Sequence, residues 1–152
     1  MTGTVLHLRT MTPRPGQYFT VFGALLAIAG GFVSWYEANV LYGGYTFSYI
    51  SANGWQEPYA GLSIMAIGLC VTAGVVALVE LLFHNARGPS TAPIVGLVPI
   101  GLGVTAFGLV VAKYVAAPDH ASVGFLVSGC GAAFVALGGL LSFAMSLAPR
   151  LD

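Results

Sequence analysis

Charge is what this sequence has least of. Only 7% of its 152 residues are Asp, Glu, Lys or Arg, against about 25% in a soluble domain. Hydrophobic residues make up 57%, and the mean hydropathy is +0.88. A water-soluble globule of this length still exposes about a third of its unfolded surface, more than so few polar groups can cover. Lipid is therefore the expected solvent. Net charge is zero and no run of Lys or Arg exists. This excludes a nucleic-acid footprint and a polybasic stretch that would recruit anionic lipid.

Reactive side chains are equally scarce. The two cysteines, Cys70 and Cys130, fall inside apolar runs, so they describe no disulfide-stapled domain. They lie at similar depth, which leaves contact between them open. No Cys-x-x-Cys pair occurs, and His7, His84 and His120 all fall outside the apolar runs, where haem ligands of a helical bundle would have to sit. No Gly-rich phosphate loop adjoins a basic residue, and Asp and His do not cluster. No catalytic, metal-binding or cofactor-binding residues are expected, and the inventory argues against an enzyme.

What remains is four long apolar runs, each near the 20 residues that a bilayer requires. They cover 18–35, 59–83, 94–115 and 122–147, with Pro, Gly or charge at each boundary. The first has an arginine-bearing leader and a small-residue Ala27-Ile28-Ala29. Its apolar core is nevertheless longer than a signal-peptide h-region and lacks a polar c-region, so a retained helix is expected. The fold class is thus an all-α membrane protein: residues 1–152 form a single four-transmembrane-helix bundle. Arg9, Arg14, Arg87 and Arg150 flank the spans on one side, and only Lys113 falls on the other, beside Glu37, Glu57 and Asp119. The positive-inside rule then predicts cytoplasmic amino and carboxyl termini.

The outer segment between the first two spans is dense in aromatics. With its flanks it holds both tryptophans and five of the seven tyrosines. Such rings favour the headgroup layer and equally favour protein interfaces. A loop lying on the membrane surface and a docking surface formed by Tyr42, Tyr45, Phe47, Tyr49 and Trp55 are both consistent with it. Gly43-Gly44 and Asn53-Gly54 supply turns around residues 45–50, so a short hairpin or a surface helix would fit.

Small residues recur every four positions: Gly23, Ala27 and Gly31; Ala66, Cys70 and Gly74; Gly108 and Ala112; Gly124, Ser128, Ala132 and Ala136. Such stripes let helices approach closely where no hydrophobic effect drives association. Pro99 is expected to kink the third helix. Two charges in or near spans stand out. Glu80, with His84 one turn on, fits a helix-end cap or a proton relay. Lys113, near the outer end of the third span, is expected to snorkel, with Glu37, Asp119 or His120 as partners. A Lys113–Glu37 ion pair would tie the first span to the third.

Two tetraspan resemblances fail on residues. Claudin-type proteins carry a Trp-Gly-Leu-Trp motif and an outer cysteine pair, which are absent here. Small multidrug-resistance transporters carry a deep glutamate in their first helix, whereas Glu37 lies beyond Trp35-Tyr36. The run Gly30-Gly31-Phe32-Val33-Ser34-Trp35-Tyr36, leading toward Trp55, resembles the first half of small four-span proteins of actinobacteria. That resemblance implies a bacterial inner membrane location. It also implies an accessory role in a larger complex, with lipid importers ahead of respiratory assemblies as hosts. The expected partners are membrane lipid and other integral membrane subunits, with no nucleic acid and no cofactor. A small homo-oligomeric transporter or channel using Glu80 or the Lys113–Glu37 pair is the alternative.

Overall fold

The computed structural model describes residues 15–42, 45–56, 60–83, 92–116 and 122–147, without the side chains of 36–51, 60 and 92–95. The chain runs α1 (Pro15–Phe32), β1 (Ser34–Tyr42), β2 (Tyr45–Asn53), α2 (Ala60–Phe83), α3 (Ala92–Ala116) and α4 (Val123–Leu147). Three helices, α2, α3 and α4, are long and apolar enough to cross a membrane. The first, 18 residues long, carries Gln17 and Tyr18 in its opening turn, which dilute its hydropathy.

The helices alternate in direction. Gly16 of α1 lies against Gly138 and Ser142 of α4, and Gly30 lies against Ser128. Gln17 meets Glu80 near the end of α2, and Gly96 of α3 meets Phe143 of α4. Hence Pro15, Phe83, Ala92 and Leu147 share one end of the bundle. The two-stranded sheet occupies the other.

Backbone proximity holds the bundle. A Cβ on Gly23 would fall 2.6 Å from the Gly131 carbonyl oxygen, and one on Gly131 would fall 2.6 Å from the Ala27 nitrogen. Gly16, Gly23 and Gly30, seven residues apart, meet Gly138, Gly131 and Ser128 of α4 in turn, so one seam faces its partner along the contact. On its other side α4 meets α3, where Gly103 lies under Ala136 and Gly139 under Ile100. Helix α4 is therefore the central element, in contact with α1 and α3 at backbone distance. The four-residue stripes form the seams only in part: Gly23 and Ala27 meet Gly131, and Gly74 meets Ala24. Gly124 meets Ser34 and Trp35 of β1 and Ser128 faces α1, while Ala132 and Ala136 meet Gly103 of α3, because each four-residue step turns the helix about 40° too far. Gly108 has nothing within 4 Å and, with Ala112, lies on the exposed side of α3.

The buried core is small-residue rich: Ala24, Ala27, Ala66, Ile67, Cys70, Ala73, Ala106, Ala132 and Val135 gather around Trp35 and Phe125. Large apolar side chains point outward instead, among them Phe32, Leu82, Val115 and Leu126, the inverse of a water-soluble domain. Cys70 is buried and Cys130 exposed, both as free thiols, so no disulfide joins them. Helix α3 runs through Pro99 without a break.

Helix α1 also differs from the predicted run at both ends. It begins at Pro15 rather than Tyr18, because proline is well suited to a first helical turn. It stops at Phe32 rather than Trp35, and Trp35 enters β1. The segment left open between hairpin and surface helix is an antiparallel hairpin, Tyr42 opposite Tyr45 and Glu37 opposite Ser51, with irregularities at Ser34/Tyr36 and Val40/Leu41.

Two glycine-to-alanine variants separate seam from surface. Gly131→Ala should lower unfolding stability in mixed micelles by about 1–3 kcal/mol through overpacking. Gly108→Ala, facing open space, should stay neutral or gain up to about 1 kcal/mol of helix propensity.

Candidate functional site

The hairpin is bolted to the bundle by one buried tryptophan. A helix leaves its last carbonyls without intrahelical donors. Here the indole Nε1 of Trp35 donates to the Gly30 carbonyl at 2.8 Å, and the Gly54 amide donates to the Gly31 carbonyl at 2.9 Å. Strand β1 and the turn after β2 thus cap α1. The Trp35 carbonyl in turn accepts from the Ser122 amide at 3.2 Å, just before α4. Trp35 is 1% exposed, and its ring lies between Gly54 and Gly124, either of which would strike it if it carried a Cβ. Phe125 packs at 4.8 Å between ring centroids.

Lys113 completes this cluster. It is 6% exposed and turns into the bundle, not out to the interface, so the snorkelling expectation is corrected. Its ammonium donates to Ser63 Oγ at 3.1 Å and stands 4.8 Å from the centre of the Trp35 ring and 6.0 Å from that of Phe125. Ser63 Oγ donates to the Gly54 carbonyl at 2.6 Å. A buried ammonium costs several kcal/mol unless partners replace its water. A hydroxyl and an aromatic face, the latter contributing about 0.5–2 kcal/mol, supply part of that replacement. One cation therefore joins α2, α3, α4 and the hairpin.

The expected docking residues divide by element. Tyr42 ends β1, and Tyr45, Phe47 and Tyr49 lie on β2; their side chains fall outside those described. Trp55 lies in the turn after β2, where Asn53 Oδ1 accepts from the Trp55 amide at 3.0 Å and Phe32 packs at 5.6 Å between centroids. Its indole Nε1 is buried without an acceptor. Glu37 is on β1 opposite Ser51. Because its side chain is also outside those described, the Lys113–Glu37 pair is as well. Asp119, His120, His84 and the arginines at 9, 14, 87 and 150 likewise lie outside the described residues.

At the opposite end, Glu80 is 8% exposed. Its Oε2 accepts from Gln17 Nε2 at 3.1 Å, tying α2 to the first turn of α1. Sequence reasoning paired Glu80 with His84 and passed over Gln17. The available signal was a polar residue beside Gly16 and Thr20, on the face that packs. Among the described residues no three His, Cys, Asp or Glu side chains gather as a metal site would require.

The two polar ties hold helices together, and at the hairpin end the coupling can be measured. Ser63→Ala and Lys113→Met should each cost about 1.5–3 kcal/mol, as hydrogen bonds to charged groups do. Their double variant should fall short of the sum by at least about 0.5 kcal/mol. Additive losses in equilibrium unfolding would contradict a shared contact.

Neither a protein-family model nor a curated protein nor a solved structure matches this chain.

Proposed function

We propose that this chain is a multi-pass inner-membrane protein of four spans that serves as a non-catalytic accessory subunit of a larger complex. Both termini lie in the cytoplasm, and the aromatic hairpin lies outside. The orientation reading is supported by the shared bundle end of Pro15, Phe83, Ala92 and Leu147, next to the four arginines in sequence. The fourth span, α1, is supported by its glycine seam with α4, which gives it the same lipid-facing exterior of Phe22, Leu25 and Phe32.

The observation that carries the accessory role is the use made of the buried polar groups. Ser63 and Trp35 engage backbone carbonyls, Lys113 engages Ser63, and Gln17 engages Glu80. These contacts join helices to one another and fix a hairpin rich in Tyr and Phe to one end. Such a build suits a scaffold that presents a surface. Binding uses the hairpin residues Tyr42, Tyr45, Phe47, Tyr49 and Trp55 together with a helix face. A transport assembly, with lipid import foremost, is the host favoured by the resemblance to small actinobacterial tetraspan proteins.

Extraction in mild detergent, native sizing and identification of co-purifying proteins test the role. The expected result is a stoichiometric assembly containing a different integral membrane protein. A chain that migrates alone, or only with copies of itself, would overturn it.

The buried carboxylate Glu80 favours a second reading, a small homo-oligomeric transporter using that residue. In reconstituted vesicles Glu80→Gln would then abolish ion or proton flux; unchanged flux removes the residue from that role.

A further inference from the structure

The turn that follows β2 is fixed by its own hydrogen bonds. Asn53 Oδ1 accepts from the Trp55 amide at 3.0 Å, and Gln56 Oε1 accepts from the Asn53 amide at 3.2 Å. The Asn53 carbonyl accepts from the Gln56 amide at 3.2 Å. The Gly54 amide is bound to Gly31 and its carbonyl to Ser63. Within this turn the indole Nε1 of Trp55 is buried with no acceptor. A buried donor normally has one, because leaving it unpaired forfeits the hydrogen bond it made to water. Here the backbone is set and the donor is in position before a partner arrives. The ring lies over Gly31, where a Cβ would fall 2.9 Å from Trp55 Cζ2 and 2.8 Å from Ile67 Cδ1. Phe32 packs on it at 5.6 Å between centroids. Gly31 and Ile67 are buried and cannot yield, whereas Phe32 is 69% exposed and free to turn aside.

We propose that Trp55 Nε1 donates to the ester carbonyl of a membrane glycerolipid in the leaflet on the hairpin side, with an acyl chain lying along the exposed face of α1. The proposal rests on the membrane-spanning reading above and specifies what one of its docking residues binds. Depth selects a lipid. The 18 residues of α1 span about 27 Å at 1.5 Å per residue, close to the hydrocarbon thickness of about 30 Å. A ring at the end of α1 therefore stands where ester carbonyls begin and where tryptophan concentrates. Polarity selects the ester. Asn53 Oδ1 and Gln56 Oε1 are both engaged, so the turn offers a donor and no spare side-chain acceptor. A peptide brings N–H groups as well as carbonyls, whereas an ester brings acceptors alone. Charge disfavours a phosphate, because the nearest charge along the chain is the acid Glu57. Phe32 turns aside to admit the carbonyl. Below it Ala29 and Leu25 continue the same exposed helix face, which gives the acyl chain an apolar surface to follow.

Nuclear magnetic resonance of the full chain tests the contact, since the protein has two tryptophans and each indole N–H gives one resonance. Isotope-labelled protein is placed in nanodiscs of diester phosphatidylcholine and in discs of its diether analogue, which keeps headgroup and chains but lacks the carbonyl. The Trp55 resonance should move downfield in the diester discs. Trp35, already bonded to the Gly30 carbonyl, should hold its place. In mild detergent, native mass spectrometry should show the diester lipid retained about three- to tenfold more tightly than the diether, the worth of one hydrogen bond. Trp55→Phe, which keeps an aromatic ring and loses the donor, should bring that ratio to unity. Equal Trp55 resonances in the two discs, or an ester preference that survives Trp55→Phe, overturns the proposal. So does a Trp55 N–H in fast exchange with water, which would identify water as its partner. A shift seen only when a co-purifying protein is added overturns it in favour of a protein acceptor. If Trp55→Phe does not accumulate, sequential assignment identifies the two resonances and the disc comparison decides. A lipid carrying a nitroxide on its acyl chain checks the membrane reading separately, and should broaden the amide signals of α2 and α3. Broadened helices with an unmoved Trp55 resonance refute the lipid contact and leave the spans standing; unbroadened helices refute the spans themselves.

Discussion

The structure depends on how closely α4 can approach its two neighbours. In lipid, apolar side chains gain little by leaving their surroundings for one another, so helices associate through dispersion contacts and backbone proximity. Gly23 and Gly131 bring α1 and α4 together until any added Cβ would meet backbone atoms of the opposing helix at about van der Waals overlap, and Gly103 and Gly139 do the same between α4 and α3. Two different faces of one helix are thereby committed to small residues. The bulk that a soluble protein would bury is left for the outside, where Leu126 and Phe32 point.

Polar contacts then fix what glycine packing leaves adjustable. At the bundle end away from the hairpin, Gln17 and Glu80 set α1 against α2. At the hairpin end, Trp35 joins the last carbonyls of α1 to a ring slot between Gly54 and Gly124, and Lys113 stands over that ring while reaching Ser63. The hairpin is consequently part of the bundle at its base. That anchoring gives the proposed accessory role its physical form: a helical body and an aromatic strand pair offered to partners.

Much of this was legible in the sequence where one local rule dominated. The runs at 59–83, 94–115 and 122–147 match α2, α3 and α4 to within two residues at either end, because Pro, Gly and charge punctuate them. Asn53-Gly54 marked the turn that follows β2. Legibility failed where distant residues decide. The stretch Phe32-Val33-Ser34-Trp35 is apolar enough to extend a helix or begin a strand, and the hydrogen bonds to Gly30 and Gly31 select the strand. Lys113 could snorkel from one face of α3 or turn inward from another, and Ser63, fifty residues away, determines which. The seams were read only in part, for a geometric reason. Four-residue stripes drift around a helix by about 40° per step, whereas the seven-residue spacings of Gly16, Gly23 and Gly30 and of Gly131 and Gly138 drift by only about 20°, and they were present in the sequence throughout.

The seating of α1 on α4 is the claim on which the hairpin anchor and the shared bundle end of Pro15 and Leu147 both rest. It is tested most directly by pairing Ala27→Cys with Ser128→Cys, since Ser128 Oγ already donates to the Ala27 carbonyl at 3.4 Å. In native membranes, with Cys70 and Cys130 replaced by alanine, mild oxidation should give rapid and nearly complete intramolecular disulfide. The pairing of Ala27→Cys with Gly108→Cys should give none. Absence of the Ala27–Ser128 cross-link, with both thiols shown to be present, would contradict the account.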